Sequence, residues 1–403
     1  MVIDQYVRIG PIGPIDIVPL IPYASMLAII GFILISVVFV IWMERVVLAL
    51  VQNRLGPNRV GPRGLLQSIA DAIKLFFKED TRPAGADRTC YYVAPALVMI
   101  PALAAGATLP FGTITVRTEA GPQPLPLIVG DVNVGILFIL ALASLQVYGT
   151  VLAGWSANNK YSLLGGLRAA AQAISYELAM SIAVVTAVLI AGSLQLTAIV
   201  DQQSGYIWGW LPNWTCFQFY GLGMVATLIY LVAMVAETNR APFDMPEAES
   251  ELVAGFHTEY SSMKFAIFFV GEYASMLVVS GVATALWFGG WHAPLPFLQF
   301  IPGWIWFVVK VMAIMLTFMW IRASLPRLRY DALMAIGWKR MIPLATVVLL
   351  AVAAVDAFNA PVIALATLAA IVAASFWLGW RAQRGTRSGS PHTVTAQGAG
   401  GAG

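Results

Sequence analysis

Nine long apolar runs constrain the fold of this chain more than any other feature of its sequence. Most are close to the roughly 20 residues that an α-helix needs to cross a bilayer, and hydrophobic residues make up 59% of the chain. Backbone groups in lipid must pair within their own segment, so helices are expected. The runs cover about residues 23–43, 92–111, 133–153, 170–192, 217–236, 264–289, 303–321, 341–358 and 361–380.

This pattern predicts an all-α, polytopic integral membrane protein with eight to nine transmembrane helices. The count stays open because only Asn359 and Ala360 separate the last two runs, which allows a tight hairpin or a single re-entrant pair, the latter giving eight spans. Lys and Arg are concentrated in segments 45–90 and 322–340 and in the other loops of the same side, whereas the opposite side has Arg8 and Arg117. With nine spans, this bias predicts an outside N-terminus and a cytoplasmic C-terminus.

The segments between and beyond the spans divide the chain further. Leu66, Ile69, Ile73 and Phe76 recur at helical spacing in a segment too short and too charged to span, which predicts a cytoplasmic interfacial amphipathic helix. We therefore expect a proline-rich, irregular N-terminal arm at 1–22, a core at 23–343 with the interfacial helix at 64–78 and an acidic loop at 237–263, C-terminal spans at 344–380 and a disordered tail at 381–403.

The acidic loop holds an unusual concentration of charge for a chain that is only 11% charged. Residues 236–260 carry one arginine, Arg240, and two prolines, Pro242 and Pro246, which prevent one continuous helix. We predict a bent cytoplasmic loop that lines a polar cavity; a simple solvated loop is the alternative. The apolar residues interleaved with the acids, Phe243, Leu252, Val253 and Phe256, favour the cavity. The six carboxylates are those of Glu237, Asp244, Glu247, Glu249, Glu251 and Glu259.

Ionisable residues also fall within the apolar runs themselves. Each costs about 3 kcal/mol to place in a bilayer, so it persists where it pairs or works. A row of carboxylates leading from a cytoplasmic cavity into the membrane suits proton transfer. The alternative is that the acids pair with Arg45, Arg168, Arg240 and Arg322 to fix helix packing. The residues concerned are Glu177, Glu237, Glu272, Lys310 and Asp356.

Several kinds of site are not expected from the composition. Two cysteines cannot build an Fe–S cluster or a cysteine zinc site in this chain. The sequence contains no P-loop or dinucleotide fingerprint. We therefore expect no metal site, no FMN or Fe–S centre bound by this chain and no nucleic-acid partner.

Specific motifs follow one another in a fixed order from about residue 40 to residue 343. They are Glu44-Arg45, Gln52-Asn53-Arg54, Gly56-Pro57-Asn58-Arg59-Val60-Gly61-Pro62, Gly64-Leu65-Leu66-Gln67 with Asp71, Lys74-Leu75 and Lys78-Glu79, Gly154-Trp155-Ser156, Asn158-Asn159-Lys160-Tyr161, Gly165 to Arg168, Ser175-Tyr176-Glu177, most of residues 236–260, Glu272-Tyr273, Trp320-Ile321-Arg322 and Leu325-Pro326-Arg327-Leu328-Arg329-Tyr330-Asp331. In these motifs the chain resembles a known family, the H-type membrane subunit (subunit 1 in mitochondria) of NADH-quinone oxidoreductase, or respiratory complex I.

The resemblance implies a quinone-binding and proton-coupling subunit in a bacterial cell membrane, with quinone as substrate. It implies peripheral quinone-site and Fe–S subunits, antiporter-like membrane subunits and membrane lipid as partners, and no complete active site in this chain alone. The implied quinone-chamber residues are Glu44, Arg45, Asp71, Arg240, Phe243 and Arg322. The implied proton pathway is an acidic funnel of Glu177, Glu237, Glu247, Glu249, Glu251, Glu259 and Glu272.

Three other functions remain open from the sequence. An independent secondary transporter or channel is disfavoured because no inverted repeat or pair of broken spans is evident. A structural anchor for soluble redox subunits would make the intramembrane acids expendable. A related hydrogenase-type complex would keep the family and change the electron donor. The residues are compatible with either ubiquinone or menaquinone as the quinone and with either protons or sodium ions as the pumped ion.

Overall fold

Among the residues described in the computed structural model, eight helices are long and apolar enough to cross a membrane. The structure describes residues 2–4, 6–8, 14–16, 21–118, 121–207, 209–245, 252–358 and 360–387. The predicted all-α, polytopic membrane fold is confirmed. The helices are α1 (Ile21–Val51), α2 (Gln67–Phe77), α3 (Arg88–Gly106), α4 (Gly135–Ser156), α5 (Lys160–Ala191), α6 (Leu196–Gln202), α7 (Leu222–Glu237), α8 (Ser262–Trp287), α9 (Gly303–Ser324), α10 (Tyr330–Ile336), α11 (Ile342–Phe358) and α12 (Pro361–Arg387).

Three helix boundaries differ from the sequence predictions. The first span was predicted to end at about residue 43, but α1 continues to Val51, so Glu44 and Arg45 lie inside a helix. The fourth was predicted to begin at about 170, but α5 begins at Lys160, where the Asn159 side chain accepts a hydrogen bond from the Tyr161 amide. The eighth was predicted to begin at about 341, but a π-helical segment, Gly337–Met341, joins α10 to α11 into one span that begins at Tyr330.

Helix α8 lies at the centre of the bundle and contacts α1, α2, α3, α6, α7 and α9. Trp287 near its end and Tyr230 of α7 are almost fully buried in the main core. Glycines allow the flanking helices to approach closely: a Cβ on Gly149 of α4 would lie 3.0 Å from the Val98 amide nitrogen of α3. Small residues at such crossings are typical of membrane helix packing.

Short strands accompany the helices. Strand β1 (Val2–Asp4) pairs in parallel with β4 (Thr113–Thr118), which pairs antiparallel with β5 (Gly121–Pro126), and β2 (Tyr6–Arg8) pairs with β3 (Pro14–Asp16). A third pair joins Tyr206–Ile207 to Leu211–Pro212. Residues 1–22 were predicted to form an irregular arm or the lead-in to a span. Strand pairing satisfies the backbone groups of the described stretches of this arm, and α1 begins at Ile21.

The end of the described chain is more helical than predicted. The apolar stretch that corresponds to the ninth predicted span, Pro361–Ala374, is shorter than the others, and α12 continues to Arg387. The prediction of a disordered tail from 381 was wrong as far as Arg387, and the rest of that prediction lies outside the described residues. Near its start α12 packs against α11, where Ala364 and Val352 belong to one small core cluster.

Candidate functional site

Three of the acids singled out by the sequence meet at one internal cavity of about 80 Å³. Glu177 comes from the middle of α5, Glu237 is the last residue of α7, and Glu272 lies in the first half of α8. Gln146 of α4 and Ser275 of α8 also line the cavity. Carboxylates from three helices therefore lie together at the end of the bundle where the predicted acidic loop at 237–263 begins. We call this loop the acidic segment below.

Polar side chains of α4 and α8 form hydrogen bonds at this cavity. The Ser144 hydroxyl donates a hydrogen bond to the Glu177 carboxylate, and the Ser275 hydroxyl donates to Gln146 Oε1 at 2.8 Å. Hydrogen-bond partners of this kind lower the cost of keeping polar groups at membrane depth. The sequence reasoning missed Ser144, Gln146 and Ser275; their polarity within apolar runs is the signal that identifies them.

A buried cation borders the same cavity. Arg240 is 9% exposed, and its Nη2 atom lies 3.8 Å from Glu272 Oε2. Its guanidinium group also lies 4.3 Å from the centre of the Tyr273 ring, a distance at which a cation and an aromatic ring attract each other. Arg240 therefore contacts two consecutive residues of α8.

A second charged group lies on the other side of Tyr273. The buried Glu44 of α1 pairs with Arg322 of α9 and accepts a hydrogen bond from the Tyr273 hydroxyl, with 2.5 Å between the oxygens. Tyr273 thus contacts the Glu44–Arg322 pair through its hydroxyl and Arg240 through its ring. Together these ion-pair, hydrogen-bond and cation–π contacts form a continuous series from Arg322 to the acid cavity. We name the residues of this series the α8 relay: Arg322, Glu44, Tyr273, Arg240 and Glu272.

The backbone around Arg240 is held from α5. The Gln172 amide nitrogen donates to the carbonyls of Ala236 and Phe243, each at 2.7 Å. The Phe243 ring packs against the Tyr176 ring, with 5.6 Å between their centres. The sequence reasoning missed Gln172, which lies five positions before Glu177 on the same helix and is fully buried.

The acidic segment is also fastened to the chain beyond α9. Asp244 pairs with Arg327 at 3.1 Å, and the Leu328 amide donates to the Pro242 carbonyl at 3.1 Å. The apolar residues predicted to anchor the segment behave in two ways: Phe243, Leu252 and Phe256 are buried, whereas Val253 is 59% exposed.

Two other predicted chamber residues pair at the start of the interfacial helix region. Arg45 of α1 and Asp71 of α2 form an ion pair at 2.5 Å, and the Gln67 amide donates to the Asp71 carboxylate. The amphipathic helix itself exposes Ile69, Ile73 and Phe76. Helix α2 therefore binds α1 through its polar side and presents an apolar surface outward.

The remaining predicted pathway acids lie elsewhere. The Glu259 carboxylate accepts a hydrogen bond from the Asn159 side chain at 2.6 Å and does not line the acid cavity. Glu247, Glu249 and Glu251 lie outside the described residues. The structure thus gathers Glu177, Glu237 and Glu272 at one cavity and places Glu44, Arg240 and Arg322 next to it.

Fold and site together define a polytopic helical membrane protein in which carboxylates and arginines from several helices are in contact beside the acidic segment. The family model described as NADH dehydrogenase matches residues 24–353. The chain is 49% identical over 324 residues to the second H-type subunit of NADH-quinone oxidoreductase from Geobacter sulfurreducens, covering 80% of this chain and 93% of that protein. It is 47% identical to the H-type subunit of Rhodospirillum centenum, with 80% and 90% covered, and 44% identical to that of Ehrlichia chaffeensis, with 80% and 86% covered.

The chain belongs to the NADH dehydrogenase family and, within it, to the H-type subunits of NADH-quinone oxidoreductase. The resemblance inferred from the sequence motifs is confirmed. The predicted enzyme class, a subunit of an oxidoreductase complex, is confirmed with it. The match to the family model ends at residue 353, so α12 lies beyond it.

Proposed function

We propose that this chain forms the membrane part of the quinone chamber of NADH-quinone oxidoreductase and couples quinone reduction to proton translocation. The observation that carries the proposal is the α8 relay, which joins the Glu44–Arg322 pair to a cavity lined by three carboxylates. Quinone reduction takes up two electrons and two protons at the quinone oxygens. In this proposal the chain itself binds no redox centre, and partner subunits supply the electrons.

The proposed chamber residues are those on the Arg322 side of the relay and at α2. Charged groups at a site where quinone gains electrons respond to the change in local charge. Arg240 can then move relative to Glu272, and a carboxylate in a dry site that loses its cationic partner takes up a proton. The chamber set is Glu44, Arg45, Asp71, Arg240, Phe243 and Arg322.

The proposed proton pathway passes through the acid cavity. Glu272, Glu237 and Glu177 share one cavity, so a proton released from one of them can reach the next through the polar groups between them. We retain Glu247, Glu249, Glu251 and Glu259 as proposed cytoplasmic entry groups. Peripheral quinone-site and Fe–S subunits and antiporter-like membrane subunits are the proposed partners.

The exposed apolar face of α2 offers a test of this function. If it borders the quinone entrance, a charge there obstructs an apolar substrate, because desolvating an ion on that face is costly. We expect Ile69→Asp to lower NADH-driven quinone reduction by about tenfold, equivalent to about 1.4 kcal/mol. The control variant Lys74→Asp places an aspartate at another position of α2 and should retain most of the activity.

The measurement uses the tagged chain purified with its native partners, which mass spectrometry identifies. The proposal expects peripheral redox subunits to co-purify equally with the wild type and both variants. Full activity in an assembled Ile69→Asp complex would remove α2 from the quinone entrance. Co-purification with hydrogenase-type subunits instead would keep the family and change the electron donor.

We further propose a bacterial cell membrane location with the acidic segment facing the cytoplasm and the N-terminus outside. This orientation satisfies the distribution of Lys and Arg. In a chain whose Cys90 and Cys216 are replaced by serine, an impermeant thiol reagent should label Arg117→Cys from outside and Lys339→Cys only after the cytoplasmic face is opened. The reverse pattern would invert the topology.

A further inference from the structure

Two cavities lie at the end of the bundle opposite the acidic segment. The first, of about 310 Å³, is polar and lies between the chain after α6 and the chain between α8 and α9; Tyr206, His292 and Gln299 are among its lining residues. The second, of about 250 Å³, is an apolar groove lined by α7 and α9. Trp214 lines both cavities, and we call its surroundings the junction.

Three backbone carbonyls hold the side-chain nitrogen of Lys310 of α9 near this junction. Its ammonium group donates to the carbonyls of Phe288, Gly290 and His292 at 2.6, 2.8 and 2.7 Å. It lies 4.5 Å from the centre of the Trp214 ring and lines the apolar groove. Three acceptors match the three N–H donors of an ammonium group, so this site favours the ammonium form of Lys310, which has no donor left for a ligand and acts on one through its charge.

Lys310 is the one Lys, Arg, Asp or Glu among the described residues that line the two cavities. Burial and the nearby Lys310 lower the pKa of His292, which disfavours the cationic form of that ring. An electronegative ligand group is favoured at this junction, and a cationic group is disfavoured.

The groove continues from this junction toward the middle of the membrane. From Lys310 to Thr317 the axis of α9 rises by about 10 Å, at 1.5 Å per residue, and both residues line the groove. Leu231, Phe288 and Ile314 provide its apolar surface, and Ala313 is exposed beside them. This length and chemistry match several methylene groups of an acyl chain lying along α9.

We propose that the two cavities form a binding site for one glycerophospholipid molecule. Its acyl chain occupies the groove between α7 and α9, its phosphate lies near Lys310 and Trp214, and its headgroup enters the polar cavity beside Tyr206 and Gln299. The site is on the face of the protein opposite the acidic segment and is separate from the α8 relay. An acyl chain in the groove makes van der Waals contacts with both α7 and α9 where these helices are not packed against each other.

Photolabelling tests the site with the chain purified from membranes together with its bound partners and placed in nanodiscs. The probe is phosphatidylglycerol with a diazirine in the middle of one acyl chain, and mass spectrometry locates the labels. Peptides that contain Leu231 and Ala313–Thr317 should be labelled about fivefold more than the one around Leu350, equivalent to about 1 kcal/mol of preference. Leu350 of α11 is 63% exposed and serves as a bulk-lipid reference.

Two variants and a second probe make the result specific. Ala313→Trp fills the groove and should lower its labelling to the Leu350 level, whereas Val309→Trp, at an exposed position outside the groove on the same helix, should leave it unchanged. Diacylglycerol with the same diazirine chain lacks the phosphate and should label the groove no more than the reference.

Three results would overturn the proposal. They are equal labelling of groove and reference by phosphatidylglycerol, equal groove labelling by the two probes, and displacement of the lipid probe by a short-chain quinone. The last would identify the groove as a quinone site.

Discussion

Glu272→Gln should yield a complex that assembles normally and loses most of its proton translocation together with the quinone reduction coupled to it. Glutamine keeps the shape of the side chain and can still hydrogen-bond, but it cannot carry a proton. Glu272 lies 3.8 Å from Arg240 and lines the cavity that it shares with Glu237 and Glu177. We expect both rates to fall at least about tenfold, equivalent to about 1.4 kcal/mol in the limiting step.

The measurement combines assembly, NADH-driven quinone reduction and acidification of membrane vesicles. Asp331→Asn is a matched control, because it makes the same chemical change at an exposed carboxylate that pairs with Arg329. Normal acidification at normal turnover in Glu272→Gln would take Glu272 out of the pathway. A stabilised, fully active variant would favour the structural-anchor hypothesis, in which a neutral residue at membrane depth is harmless.

Arg240→Lys should strongly impair quinone reduction even though the charge is conserved. Lysine lacks the planar guanidinium group that lies over the Tyr273 ring while its Nη2 atom approaches Glu272. The α8 relay would therefore be broken at Arg240. We expect a loss of about tenfold in quinone reduction, comparable to losing one well-placed ionic contact in a buried site.

The informative readout for Arg240→Lys is the contrast between two activities of the same preparation. NADH oxidation by an artificial hydrophilic acceptor, which needs only the electron input of the peripheral subunits, should stay at the wild-type rate. Lys339→Arg is a suitable control, because it exchanges the same two residue types at an exposed cytoplasmic position in the proposed orientation. Wild-type quinone reduction by assembled Arg240→Lys would show that the α8 relay is not needed.

The sequence predicted the spans and singled out the three acids that line one cavity, because both leave local signals. Apolar runs identify helices from hydropathy alone, and an acid inside such a run is conspicuous at membrane depth. The helical start of α5 was missed because residues 160–169 include Lys160, Gly165, Gly166 and Arg168. Those glycines are explained only by packing: a Cβ on Gly165 would lie 2.8 Å from the Gly255 backbone.

The connections within the site could not be predicted in this way. Glu44 and Arg322 are separated by 278 positions in the sequence, and nothing local to either identifies the other as its partner. The same holds for Gln172, whose amide contacts carbonyls 64 and 71 positions away. Long-range pairing of this kind depends on how the helices cross, which hydropathy does not encode.

The neighbouring residues Glu44 and Arg45 have a consequence for how α1 can move. Consecutive residues project about 100° apart around a helix axis, and these two are tied to different helices, Glu44 to α9 through Arg322 and Arg45 to α2 through Asp71. Rotation of α1 about its axis in either direction would lengthen at least one of these two ion pairs. The two ion pairs therefore oppose rotation of α1 about its axis more than they oppose a small shift along that axis. In the proposed function we therefore expect structural changes during turnover to occur in side chains or in neighbouring segments rather than as a rotation of α1.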